Sequence, residues 1–195
     1  MTDSQIAIRP LRADAARNRA RVLEAARELM SARGVEVQME EIAREAGVGV
    51  GTVYRHFPNK EALVRALAED RFSRIAAVMR EALADPDPER GFETMMRRAA
   101  EIQVADRSLT EVMRNHGDAM QAAAEMHDVP ELTQRVIDRC KRAGVLRPDV
   151  QMGDIPMVMC GMGVASCSAA GRLAGPDGWK RYVEYLIAGM RAPAS

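Results

Sequence analysis

The sequence predicts an all-α protein, a small N-terminal three-helix domain followed by a larger helical body. Three observations predict it. Aromatic residues are sparse at 4 %, whereas hydrophobic residues reach 47 % and Ala, Leu, Met, Glu and Arg abound, all of which lose little side-chain freedom in a helix. Apolar residues recur at three- and four-residue spacing, and no stretch alternates apolar with polar as a half-buried strand would. Glycine and proline cluster between these periodic runs and so punctuate them.

Taken in order, the first helix carries Val22, Leu23, Ala26, Leu29 and Met30 on one stripe, with Asp14 as a candidate cap and Gly34 as a left-handed stop. Two short helices, Met39–Glu45 and Val50–Phe57, flank Ala46-Gly47-Val48-Gly49. A long helix then opens at Asn59 and runs to about Ala84, with Leu63, Leu67, Phe72, Ile75 and Met79 available for its buried side. Asp85-Pro86-Asp87-Pro88 breaks the chain, because proline restricts the residue before it and cannot extend a helix. Further helices are expected at about 89–106, 108–115, 117–126, 130–143, 153–171 and 177–190. The domain boundary is expected after residue 62, giving domains 1–62 and 63–195.

Bulk properties exclude several function classes. The 28 basic residues balance 28 acidic ones, so any affinity for nucleic acid must come from local charge. Between Arg9 and Arg21 five arginines face one acid, Asp14. Cys140, Cys160 and Cys167 form no paired framework and read as reduced, mostly buried thiols of a cytoplasmic protein. No signal peptide is evident, and the apolar run Ile155–Gly171 is too short and too rich in glycine to span a bilayer. Neither a metal-ligand spacing nor a nucleophile–base constellation is present, so no cofactor and no catalysis are expected.

Residues 38–63 carry the most information. Met39, Ile42, Ala43 and Ala46 form the buried side of one helix, and Gly47 permits the positive φ of a tight turn. Val48 plugs the corner. In the next helix Val50, Val53 and Phe57 share the inward face, while Gly51, Thr52 and Arg55 point away with Tyr54 and His56 on the flanks. Small, hydroxyl-bearing and basic groups of this kind suit a DNA groove lined by phosphates and base edges. Asn59 is placed to cap the following helix by accepting from the N–H of Glu61 or Ala62, and Lys60 stands in its first turn.

The pattern Ile-Ala-x-x-Ala-Gly-Val-x-x-Gly-Thr-Val-Tyr-x-His-Phe-x-Asn-Lys-Glu-Ala-Leu, Ile42 to Leu63, resembles the helix-turn-helix signature of the TetR family. The preceding helix, Arg17–Arg33 with Val-Leu-Glu-Ala-Ala at 22–26, resembles that family's first helix, so the likeness covers about residues 15–65. It implies that Thr52, Tyr54, His56 and Lys60 hold phosphates and that Gly51 and Arg55 approach bases. For Arg55 a bidentate pair with guanine and a phosphate contact both stay open. Val50 occupies a position where a polar base reader sometimes stands and offers only apolar contact, for instance to a thymine methyl. Gln38 and Met39 stand where hydroxyl residues are frequent, and Arg17 joins the surface from the basic N-terminal stretch.

The resemblance further implies a dimeric, ligand-responsive transcriptional regulator on double-stranded operator DNA, most commonly a repressor released by a small molecule. An activator, or an effector-independent DNA-binding protein of the same fold, remains the alternative. The helices at about 153–171, with Gly161, Ala165 and Ala169 at four-residue spacing, and 177–190, with Trp179, Tyr182, Val183, Leu186 and Ile187, are the expected homodimer surface. Ten of the 14 methionines follow residue 90, and methionine suits both an irregular core and a pocket for apolar ligands. Met96, Met113, His116, Met120, Met159 and Met162 are the candidate pocket residues for a largely apolar effector.

Overall fold

A computed structural model describes residues 4–34, 36–106 and 117–193. Among them ten α-helices form and no strand; a single antiparallel bridge joins Leu146 to Arg191. The helices are α1 (Ser4–Arg33), α2 (Met39–Glu45), α3 (Val50–His56), α4 (Lys60–Ala84), α5 (Pro88–Ala105), α6 (Gly117–Met126), α7 (Val129–Arg142), α8 (Asp154–Cys167), α9 (Ala169–Ala174) and α10 (Gly178–Met190). The helix expected over 108–115 lies outside the described residues. Two compact units emerge, Met1–Leu67 and Ala68–Ser195, whereas the sequence places the boundary after Ala62. No helix among the described residues is long and apolar enough to cross a membrane.

In the first unit α1 packs on α2 and α3. Val22, Ala26, Met30, Ile42, Val53, Phe57 and Leu63 are buried there. Gly34 ends α1 as expected, with φ 77° and its N–H donating to the Met30 carbonyl at 2.8 Å. The start of α1 differs from expectation. Asp14 lies inside the helix, which already begins at Ser4, and pairs with Arg17 instead of capping. Arg19 stacks over the Phe57 ring at 5.5 Å and so adds a cation–π contact to this small core.

The second unit is built around α5, which packs on α7, α8 and α10. The Asp85-Pro86-Asp87-Pro88 break becomes a cap: the Asp87 carboxylate accepts from the N–H groups of Glu89 at 2.9 Å and Arg90 at 3.3 Å, and Pro88 starts the helix. Gly91 lets α5 approach α4 closely, since a Cβ there would stand 2.7 Å from the Ala82 carbonyl oxygen. Arg139 of α7 closes the end of α4 by donating to the carbonyls of Ala82 at 2.8 Å, Leu83 at 3.1 Å and Asp85. The core cluster includes Met79, Phe92, Met95, Met96, Ile137, Met162, Val183 and Ile187. On the outside, Arg97 grips Glu184 with a two-pronged pair at 2.7 and 2.9 Å and ties α5 to α10.

Where one helix was expected over 153–171, the chain makes two. Ser168 adopts an extended conformation and starts α9 by accepting from the Gly171 N–H at 3.2 Å. The corner is so tight that a Cβ on Gly171 would stand 2.5 Å from the Ala165 carbonyl oxygen and 2.6 Å from that of Ser166. Glycine at 171 therefore permits the break. Cys140 is buried, as expected, and burial pushes its thiol up to about 11. Cys160 is exposed on α8, against expectation, in the stretch where Met157 and Gly161 are exposed as well.

Candidate nucleic-acid interface and ligand cavity

The turn between α2 and α3 is set by backbone geometry. Gly47 has φ 62°, its N–H donates to the Arg44 carbonyl at 3.1 Å, and the Val48 N–H donates to Ala43 at 3.0 Å. Arg21 of α1 donates to the Gly47 carbonyl at 3.2 Å, and a Cβ on Gly47 would meet that guanidinium at 2.6 Å. Position 47 thus needs glycine for its φ, whereas the tip of Arg21 could swing aside from a Cβ. Val48 is half-buried at the corner. At the start of α2 the Gln38 N–H donates to the Glu41 carboxylate at 3.1 Å, and Arg33 binds the same carboxylate at 2.8 Å. That backbone bond first, and Arg33 second, hold the Glu41 carboxyl below its usual range. The stabilisation is present above the ordinary carboxylate pKa and is lost as pH falls through the lowered value.

Along α3, Val53 and Phe57 are buried, while Gly51, Tyr54 and Arg55 are exposed and Thr52 and His56 half-buried. Val50 is 40 % exposed and does not share the inward face expected of it. It opens the helix, and its Cα–Cβ bond tilts toward the N-terminus, past the last turn that could cover it. Arg55 lies along its own helix: Nε donates to the Gly51 carbonyl at 3.1 Å and Nη2 to the Thr52 hydroxyl at 3.3 Å. The Tyr54 hydroxyl donates to the Glu40 carboxylate of α2 at 3.1 Å, a bond that raises the tyrosine pKa. Asn59 caps α4 by accepting from the Ala62 N–H at 2.8 Å, with Lys60 half-buried beside it. Gln38 and Arg17 are exposed, and Met39 is buried, so its side chain serves the core of the unit.

The second unit holds a cavity of ≈ 330 Å³ bounded by α4, α5, α6, α7 and α8. Phe72, Ile75, Met79, Met120, Ile155 and Met159 give it an apolar wall, and Arg71, Gln103 and Thr133 bring polar groups to it. Of the expected pocket residues, Met120 and Met159 line this cavity. Met96 is fully buried in the core cluster, and Met162 borders a separate cavity of ≈ 260 Å³ between α8, α9 and α10. Met113 and His116 lie outside the described residues. Sequence reasoning missed Arg71 and Gln103. A signal for Arg71 existed: it stands four residues from both Leu67 and Ile75 and so falls on the buried side of α4. Among the described residues no group of three or more His, Cys, Asp or Glu could hold a metal ion.

Comparison with known proteins bears on both units. A family model for bacterial regulatory proteins of the tetR family matches residues 22–67, and one for the C-terminal domain of SbtR-like transcriptional regulators matches 87–192, more than half of the chain. A solved TetR transcription regulatory protein from Mycobacterium vanbaalenii is 38 % identical, with 94 % of this chain and 100 % of that one covered at a TM-score of 0.68. The chain belongs to the TetR family. A TetR transcriptional regulator from Streptomyces coelicolor is 27 % identical over 90 % of this chain and 99 % of its own, at a TM-score of 0.67. An HTH-type transcriptional regulator of Staphylococcus aureus is 48 % identical over 54 residues, 27 % of this chain; the match spans only 29 % of that relative's length. The TetR family is one of DNA-binding transcription regulators and not of enzymes, and this member carries its helix-turn-helix in α2 and α3.

Proposed function

We propose that this TetR-family protein is a cytoplasmic homodimeric repressor that leaves its operator when a small, largely apolar molecule occupies the ≈ 330 Å³ cavity. The observation that carries the DNA-binding part is the outward face of α3, where Gly51, Tyr54 and Arg55 stand exposed over a buried Val53 and Phe57. Thr52, Tyr54, His56 and Lys60 are assigned to phosphates, with Gln38 and Arg17 beside them, and Val50, Gly51 and Arg55 to the bases. Met39 serves this surface only by anchoring α2. Two such units, one from each protomer, would enter successive major grooves of a palindromic site.

The dimer surface is assigned to the exposed face of α8 and α10. Met157 at 70 %, Val164 at 56 % and Tyr185 at 71 % exposure join Gly161 and Tyr182 there, and clustered exposed apolar side chains of this kind mark interaction surfaces. Repression is the sense typical of the family. Release follows if the ligand binds a conformation of lower operator affinity more tightly than the DNA-competent one.

The test is binding of the purified protein to DNA from upstream of its own gene, followed by fluorescence anisotropy over a salt series with unrelated DNA as competitor. Tight, competitor-resistant binding is expected. Binding no tighter than to random DNA would refute a specific site in that region. On the operator so found, Arg55→Ala is expected to relax preference at one symmetric pair of positions, costing about 1–3 kcal/mol of discrimination. Uniform weakening on every sequence would make Arg55 a phosphate contact instead.

A further inference from the structure

A buried guanidinium stands in the wall of the larger cavity. Arg71 is 3 % exposed, and its Nη2 donates to the Gln103 side-chain oxygen. Burial pushes its pKa down, the negative charge of Asp106 opposing that effect; an arginine nevertheless stays protonated in a protein. Asp106 is itself fully buried and is gripped by Arg74 at 2.7 Å, which also holds Asp70 at 3.1 Å. Holding a cation in such surroundings costs stability that a methionine of similar length would not. Among the described residues Arg71 is the one charged side chain in the cavity wall.

We propose that the cavity binds a compact, apolar monocarboxylic acid, its carboxylate held by the Arg71 guanidinium at Gln103 and its hydrocarbon part lying among Ile75, Met79, Met120 and Met159. This rests on the reading of the cavity as the effector site. The guanidinium presents five donors in a flat fork that matches a carboxylate, so the acid can bind beside Gln103 or in its place. Such a pair is strongest where water is excluded, and the wall here is mostly hydrocarbon and thioether. The ≈ 330 Å³ volume lies near the lower end of the range of about 300–1,000 Å³ usual for ligand pockets, which favours a small acid over an extended one. Unbranched methionines fit their shape to the tail.

The test uses the full chain with hexanoate, octanoate and decanoate, each compared with its own methyl ester, by titration calorimetry and thermal shift. At least one acid is expected to bind about tenfold or more tightly than its ester. In Arg71→Met that preference disappears while ester binding is little changed; in Arg71→Lys, which keeps the charge but loses the fork, it shrinks. Met159→Trp, which fills the tail region, is expected to abolish binding of acid and ester alike. Equal binding of acid and ester, a preference that survives in both Arg71 variants, or no binding of any acid would each overturn the inference. Anisotropy on operator DNA run in parallel separates it from the reading beneath: esters that release DNA as well as the acids do remove the carboxylate alone, whereas a protein that never binds specific DNA removes the regulator.

Discussion

Replacing Val164 with arginine is expected to give a monomer whose operator affinity is lower by about a hundredfold or more. Val164 is 56 % exposed on α8, on the same side as Met157 and Gly161, so a longer side chain there does not disturb the core of its own protomer. Against a second copy it would bring two like charges face to face across a two-fold axis. Each half-site contact would then act alone, and the gain from linking two binding events, about 10²–10⁴-fold, would be lost. Sedimentation velocity and anisotropy measure both consequences. A dimer that persists with unchanged operator affinity would move the interface away from α8.

Phe92→Ala is expected to cost about 3–5 kcal/mol. The ring is 1 % exposed near the start of α5, in the cluster that also contains Met79, Met95, Met96 and Ile137. Its neighbours are held by the Asp87 cap on one side and by the Gly91 contact with α4 on the other, so they cannot collapse fully into the space left behind. In a chain of this size such a loss lowers Tm by about 6–20 °C. Urea or thermal unfolding followed by circular dichroism reads it. A cost below about 1 kcal/mol would mean that the ring is not part of a packed core.

The all-helical class and the helix-turn-helix were legible because their determinants are local. Apolar spacing sets the buried sides of α2 and α3, and Gly47 alone makes the φ of 62° at the turn available without strain. The Asn59 cap needs only the Ala62 N–H three residues on. What was illegible depends on encounters between elements. No local sign separates Met96, buried in the core, from Met120 and Met159, which face a cavity, since the difference lies in which helices meet around each. The break at Ser168 follows from a close approach of Gly171 to the Ala165 and Ser166 carbonyls, which small-residue spacing alone reads as an unbroken helix. Arg71 had a sign in its position on the apolar side of α4, but its meaning required the cavity to be visible.

The hydrogen bond from Tyr54 to Glu40 bears on how fast a target is found. Every docking that hands the tyrosine hydroxyl to a phosphate leaves the Glu40 carboxylate without that donor, beside a polyanion. The penalty is the same on any sequence, so only a site offering additional base contacts offsets it. Random DNA does not, so with the proposed Tyr54–phosphate contact the protein would dwell on it more briefly than with a neutral residue at 40. On that reading, a carboxylate that weakens every encounter a little would shorten the search through a genome of wrong sites.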